Sequence, residues 1–162
     1  GIFAVDKAGG LGKNGTLPWP KDSEDLKWFK THTTGGIVVM GRNTWEDPMM
    51  PKPLPNRINV VVASNPFESQ DKANYVIPSN NIKNSLIDLN NYFRLERIWI
   101  IGGARLLEAT IPMLDQIYLT RFDQDYDCDV KIDIDSHLNN FVCVTDQQSS
   151  NKRFQIYHAK LH

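Results

Sequence analysis

Cysteine, long apolar runs and net charge are all scarce in this chain, and each shortage closes off a class of protein. Two cysteines in 162 residues, Cys128 and Cys143, cannot build the disulfide framework of a small secreted domain, and with no signal-like start they suit reduced thiols in a cytoplasmic protein. No apolar stretch approaches the roughly 20 residues that a membrane span needs, so a soluble protein is expected. Lys and Arg number 18 against 19 Asp and Glu, a formal net charge of -1. That balance gives no bulk electrostatic reason to bind nucleic acid or an anionic membrane, and it points to a small partner. Motifs are missing as well. Gly9-Gly10-Leu11-Gly12-Lys13 invites comparison with a nucleoside-triphosphate loop, but position 7 is Lys where glycine is required and Asn14 replaces the Ser/Thr. There is no Gly-x-Ser-x-Gly elbow. The cysteines and the four histidines lack the paired spacing of a zinc site, so no metal is expected. No Gly-x-Gly-x-x-Gly follows a strand, which removes the Rossmann fingerprint but not dinucleotide binding as such.

Neither repeats nor low-complexity tracts nor a dividing Pro/Gly linker occur, so residues 1–162 read as one domain, long enough to bury about 68–70% of its unfolded surface without a staple. Gly1 is not Met, and Ile2 to Val5 already reads as strand, so native residues are expected to be missing ahead of it. Continuous apolar runs predict buried strands at Gly1 to Val5, Ile37 to Met40, Ile58 to Ala63, Tyr75 to Ile77, Arg97 to Ile101 and Gln116 to Thr120. Helices are predicted over Asp22 to His32, with Asp22 or Ser23 as N-cap, and over Ile82 to Phe93, with shorter ones after Gly41 and Gly103. Phe141 to Thr145 and Phe154 to Lys160, separated by the polar run Asp146 to Arg153, predict an antiparallel hairpin. The fold class is therefore α/β: a mostly parallel central sheet of about eight strands, helices on both faces, and a C-terminal antiparallel edge.

Two strand-to-helix junctions are suited to receive phosphate: Val39-Met40-Gly41-Arg42-Asn43-Thr44 and Ile100-Ile101-Gly102-Gly103-Ala104-Arg105. Glycine lets backbone approach a ligand, and the helix start supplies free N–H donors and the positive dipole end. Either junction alone is most simply turn chemistry. Two of them on the carboxyl edge of a parallel sheet, each with an arginine within three residues, mark a ligand edge. Asp25 stands in the first turn of a predicted helix, aligned with Leu26 and Phe29. A solvated carboxylate favoured by the helix dipole is the bland reading; an acid on an apolar face instead needs a partner, and a ligand supplies one. Arg57 and Thr120 read in isolation as ordinary surface and strand residues. Trp19 and Trp45 read as core aromatics.

In order along the chain stand Ile2 to Val5, Gly10-Leu11-Gly12-Lys13-Asn14-Gly15, Leu17-Pro18-Trp19-Pro20, Asp25-Leu26-x-x-Phe29, Val39-Met40-Gly41-Arg42-x-Thr44-Trp45, Pro53-Leu54-Pro55-x-Arg57, Ile101-Gly102-Gly103, Leu119-Thr120 and Phe154 to Tyr157. Together they resemble the dihydrofolate reductase family. The resemblance implies reduction of 7,8-dihydrofolate to tetrahydrofolate by hydride transfer from NADPH to C6 of the pterin, with a proton added at N5. Asp25 would accept hydrogen bonds from the pterin 2-amino group and N3, supported by Thr120, while solvent delivers the proton and Trp19 helps to hold an ordered water. Leu26, Phe29 and Leu54 would wall the substrate, Arg57 would pair with its glutamate α-carboxylate, and backbone groups of Ile2 and Ile101 would contact the pterin amine. Backbone of Ala4 would meet the nicotinamide carboxamide. The Gly9 to Thr16 segment, including Leu11, Gly12 and Gly15, would be a mobile loop closing over the nicotinamide. Gly41, Arg42, Asn43 and Thr44 would receive cofactor phosphates, as would Ala104, Arg105 and Leu106 after a cis Gly102-Gly103 peptide. The family's relatives also imply a monomer or a piece of a fusion with thymidylate synthase.

Some positions depart from the family pattern. Leu107 stands where a tyrosine is common. Ala63 replaces a serine that often binds the 2′-phosphate, leaving Arg42 and Ser64 for that role. Two other readings are kept in view: the pyrimidine reductase of riboflavin synthesis, which shares this fold and cofactor, and a catalytically silent folate- or nucleotide-binding module. The Leu-Pro-Trp-Pro segment with Asp25 and Arg57 favours folate over the first. Asp25, Thr120 and Gly102-Gly103 favour an enzyme over the second.

Overall fold

Successive residues of the central strands point into two different cores, and that alternation places the site. The computed structural model describes residues 1–161. In chain order it comprises β1 (Ile2–Val5), β2 (Gly10–Gly12), α1 (Ser23–Thr33), β3 (Ile37–Gly41), α2 (Arg42–Trp45), β4 (Ile58–Val62), β5 (Tyr75–Ile77), α3 (Ile82–Tyr92), β6 (Ile98–Gly102), α4 (Ala104–Thr110), β7 (Gln116–Phe122), β8 (Val130–Lys131), α5 (Ile134–His137), β9 (Phe141–Ser149) and β10 (Lys152–Ala159). Strands β5-β4-β3-β6 form an all-parallel ladder. Strands β1-β7-β10-β9 form a second, parallel at β1 and β7 and antiparallel from β7 through β10 to β9. Because β1 lies against β6, the two ladders stand edge to edge and realise the α/β sheet with an antiparallel end that the apolar runs predict.

Odd-numbered residues of β3 and their counterparts, Ile37, Val39, Val60, Ile100, Ile117 and Leu119, pack against Leu86 and Leu89 of α3 and Leu106 and Leu107 of α4. Even-numbered residues of β3, Val38 and Met40, and their cross-strand partners Trp99 and Val61 pack on the other side with Trp45 of α2 and with Trp28 and Phe29 of α1. Each such aliphatic side chain contributes about 1.5–3 kcal/mol by leaving water. Strands buried on both faces carry no polar alternation, which is why their runs are continuous in the sequence.

The C-terminal hairpin is longer than its apolar pattern implies. β9 and β10 pair from Ser149 with Lys152 to Phe141 with Ala159, so strand runs through most of the polar stretch read as a loop. Ser150 and Asn151 alone form the turn, with Ser150 at φ 53°. β9 is an edge strand and largely exposed, and on such an edge Asp146, Gln147 and Gln148 cost no burial. Polarity there reports exposure, not irregular backbone.

The segment expected to be a mobile loop is held in hydrogen bonds. β2 pairs with β8, and Asp6 accepts from the backbone N–H groups of Ala8, Gly10 and Tyr126 and from the Cys128 thiol. Burial and the Asp6 charge push that thiol up to about 12, which makes it a poor nucleophile. The tip is a two-residue turn: Asn14 and Gly15 take φ 53° and 81°, the conformation a type I′ hairpin requires, and Lys13 and Thr16 bond each other across it. Neither β2 nor β8 is long enough to show a period of two, so both escape sequence reading, as does α5. No helix among the described residues is long and apolar enough to cross a membrane.

Candidate active site

Helix α1 starts where it does because Asp22, in extended conformation, receives the Asp25 N–H on its Oδ1 at 2.9 Å. One turn in, Asp25 meets β7, where the Thr120 hydroxyl donates to Asp25 Oδ1 at 2.7 Å. Thr120 is buried, opposite Ala4 of β1 and Phe154 of β10. Burial pushes the half-buried Asp25 carboxyl above its ordinary value; the Thr120 hydrogen bond opposes this, and Asp22 and Glu24 add repulsion. Among the described residues Asp25 has no ion pair. A desolvated acid with one donor still has lone pairs to offer, and a ring N–H with an adjacent amino group would use them.

The rest of that helix face runs away from the acid in an ordered line. Thr33 donates to the Phe29 carbonyl at 2.8 Å and receives Arg57 Nη1 at 3.1 Å, while Arg57 Nε donates to the Pro55 carbonyl at 2.9 Å. Arg57 Cζ lies 5.7 Å over the Phe29 ring. Burial pulls this guanidinium below its ordinary value, and among the described residues no carboxylate pairs with it. At 1.5 Å per residue, Thr33 sits about 12 Å beyond Asp25 along the helix. A molecule with a hydrogen-bonding ring at one end and an anion at the other would span the two.

One expectation needs revising here, and two residues were missed. Leu26 does not lie on the buried face; it is 44% exposed. Trp28 takes its place, stacked on Phe154 at 4.6 Å, and its indole N–H is the one buried side-chain polar atom without a hydrogen-bond partner among the described residues. A spacing of three from Asp25 already puts Trp28 on the acid's side of the helix. Asn59, also missed, is wholly buried: its Oδ1 accepts from Leu54 N and its Nδ2 donates to the Leu54 and Arg57 carbonyls. It fixes the segment carrying Leu54, itself buried, and Arg57. A lone amide inside Ile58-Asn59-Val60-Val61-Val62 is the signal that could have found it. Asn59→Ala is expected to cost about 2–3 kcal/mol by stranding buried polar groups and to raise the KM for substrate more than it lowers kcat, as read by denaturant melts and steady-state kinetics.

On the same sheet, the two glycine junctions form one surface. Met40 of β3 pairs with Gly102 of β6. A Cβ added to Gly41 would come within 3.6 Å of Gly103 N, and one on Gly102 or Gly103 within 3.7 or 3.6 Å of Thr44 Oγ1. Gly102 holds φ +137°, a region closed to other residues, and its peptide to Gly103 is cis. Side chains here would fill the backbone surface that glycine leaves bare. Arg42, Asn43 and Arg105 are exposed around it, Arg42 paired with Glu46 and lying over Phe67. Ser64 hydrogen-bonds Ser79 beside a concavity lined by Ala63, Asn65, Gln70 and Asp71. Leu106 and Leu107 turn into the α3-side core, so they can offer a ligand backbone only; Leu11 packs against the same core. Trp19 is buried, stacked on Phe122 two residues beyond Thr120. Ile2 packs into the α1-side core with Ile101 against it; Gly12 ends β2 and Gly15 lies in the turn with Asn14.

A desolvated acid together with glycine junctions at the carboxyl edge of parallel strands is an arrangement suited to a hydrogen-bonding ring and a phosphate-bearing ligand. A sequence model described as dihydrofolate reductase matches residues 1–161. The chain therefore belongs to the dihydrofolate reductase family. It is 34% identical over 138 residues to dihydrofolate reductase type 9 of Escherichia coli, covering 82% of this chain and 75% of that one. To the bifunctional dihydrofolate reductase-thymidylate synthase of Paramecium tetraurelia it is 40% identical over 131 residues, 80% of this chain but 27% of the relative's length. Its fold is similar to that of dihydrofolate reductase from Enterococcus faecalis complexed with NADP(H) and RAB-propyl, with a TM-score of 0.77, 28% identity, and coverage of 98% and 94% of the two chains.

Proposed function

We propose that residues 1–162 act as one catalytic unit that reduces 7,8-dihydrofolate to 5,6,7,8-tetrahydrofolate with NADPH, in the cytoplasm, for one-carbon metabolism and thymidylate synthesis. The observation that carries this is the Thr120 to Asp25 hydrogen bond on the sheet face that also bears Ala4. Asp25 accepts the pterin 2-amino group and N3, Thr120 fixes the carboxylate, and Phe29 and Leu54 wall the ring and its aminobenzoyl extension. Arg57 pairs with the glutamate α-carboxylate. NADPH, when bound, supplies the hydride to C6. Gly41, Thr44, Gly102 and Gly103 hold its phosphates against open backbone, with Arg42 and Arg105 at the rim. Solvent protonates N5. Two free thiols, one of them exposed, support a reducing compartment.

Absorbance at 340 nm should fall only when dihydrofolate and NADPH are both present; binding of both without that fall would make the chain a silent module. Arg42 sets cofactor choice in this reading. Arg42→Ala is expected to lower the ratio of kcat/KM for NADPH over NADH about fivefold, since an exposed charged contact is worth about 1 kcal/mol. An unchanged ratio would place the 2′-phosphate contact elsewhere.

A further inference from the structure

Lys152 opens β10 and is 2% exposed, an uncommon burial for a lysine. Its ammonium uses all three donors: Glu24 Oε1 at 2.9 Å, Asn151 Oδ1 at 3.0 Å and Asp22 Oδ2 at 3.1 Å. The Asp22 carboxylate is shared, because its other oxygen caps the Asp25 N–H. Glu24 is further tied to the hairpin by the Ser149 hydroxyl at 2.5 Å. Two residues along β10, Phe154 stacks on Trp28 and pairs with Thr120. The strand thus grips the helix start on both sides of the acid, by charge at Asp22 and Glu24 and by aromatic packing at Trp28.

We propose that Lys152 is a positioning residue for the reduction: a buried cation that draws Asp22 and Glu24 onto β10, fixes the turn presenting Asp25, and offsets the two negative charges beside it. The proposal rests on the reading of Asp25 as the substrate-binding acid. The charged groups acting on Asp25 are Asp22 and Glu24 from α1 and Lys152 from β10; β7 contributes the uncharged Thr120 hydroxyl and β1 only Ala4. Lys152 keeps its proton, since the Glu24 and Asp22 contacts outweigh the burial that opposes it. Its charge is therefore constant across the range in which Asp25 titrates. Removing it leaves two anions uncompensated and makes ionisation of Asp25 harder; removing Glu24 makes it easier.

The test is the dependence of kcat/KM for dihydrofolate on pH, from about 5 to 9, with NADPH saturating. Compared are the unaltered chain, Asp25→Asn, Lys152→Met, Lys152→Arg and Glu24→Gln. The limb absent from Asp25→Asn belongs to Asp25. Lys152→Met should move that limb up by about half a pH unit or more, Glu24→Gln should move it down, and Lys152→Arg should restore it. Opposite displacements are a signature that loss of packing alone does not give. If both charge variants are folded and the limb stays in place, Lys152 is merely structural and the proposal is overturned. Should Lys152→Met not fold, Lys152→Gln is measured in its place, since its amide can still donate to Glu24 or Asp22 without the charge, and the limb should again move up. Asp25→Asn with unchanged rates would instead overturn the reading of the site, and this proposal with it.

Discussion

Asp25→Asn is expected to lower turnover of dihydrofolate at least tenfold while raising the melting temperature of the folded chain. The amide keeps the shape and can still accept from Thr120, but it loses the charge that strengthens bonds to a ring N–H and amino group. Hydrogen bonds to a charged partner are worth about 1.5–3 kcal/mol each, and about 1.4 kcal/mol is tenfold in rate, so loss of one such bond in the transition state sets the floor. The stability effect has the opposite sign. Burial raises the folded-state value of Asp25 above the unfolded 3.8, so between the two the folded chain retains a proton that the unfolded chain has released. Stability contributed by this group therefore falls as pH rises through that window, and at neutral pH the desolvated charge destabilises the fold. Asparagine removes the cost, raising the melting temperature by about 2–4 °C per kcal/mol relieved. The gain should shrink as pH approaches the unfolded value. Steady-state rates and circular dichroism melts at neutral and acid pH check both parts; unchanged rates, or a melting temperature lowered at neutral pH, would contradict them.

What could be read in the sequence follows from what each signal reports. The central parallel strands announce themselves because both faces are buried, while β5, expected buried, is a largely exposed edge strand whose apolar run is short; the glycine junctions do so because backbone must stay bare where two strand ends meet. Asp25 is legible as an acid aligned with apolar residues of a mixed helix, and its partner Thr120 only through resemblance, since 95 residues separate them. Trp28 and Asn59 are legible in principle, by spacing and by a polar break in an apolar strand. Lys152 is not. A lysine in a polar run reads as a solvated residue, and only the fold brings it under the carboxylates of Asp22 and Glu24 at the start of α1. Likewise the ribbon of β2 and β8 depends on a pairing across the chain that short glycine-rich segments cannot signal.

Arg57→Lys should raise the KM for dihydrofolate about tenfold or more and leave kcat within about threefold. The side chain is oriented before any ligand arrives: Nε is spent on Pro55, Nη1 on Thr33, and the guanidinium plane rests over Phe29. Nη2 has no acceptor among the described residues, and burial makes the charge costly where it stands. A carboxylate satisfies both deficits with two parallel bonds, a match for the planar fork that a lysine ammonium cannot reproduce. Lysine would also lose the Pro55 and Thr33 contacts that aim the group, so the variant keeps the charge and loses the geometry. Because this end of the molecule lies about two helical turns from the acid, the loss falls on binding that is equal in ground and transition states, which raises KM and spares kcat. A substrate analogue lacking the glutamate separates the contributions: the unaltered chain and Arg57→Lys should bind it equally. If the variant still discriminates against the truncated analogue as strongly as the unaltered chain, Arg57 does not read the carboxylate. The line from Asp25 through Phe29 and Thr33 would then end in a different ligand.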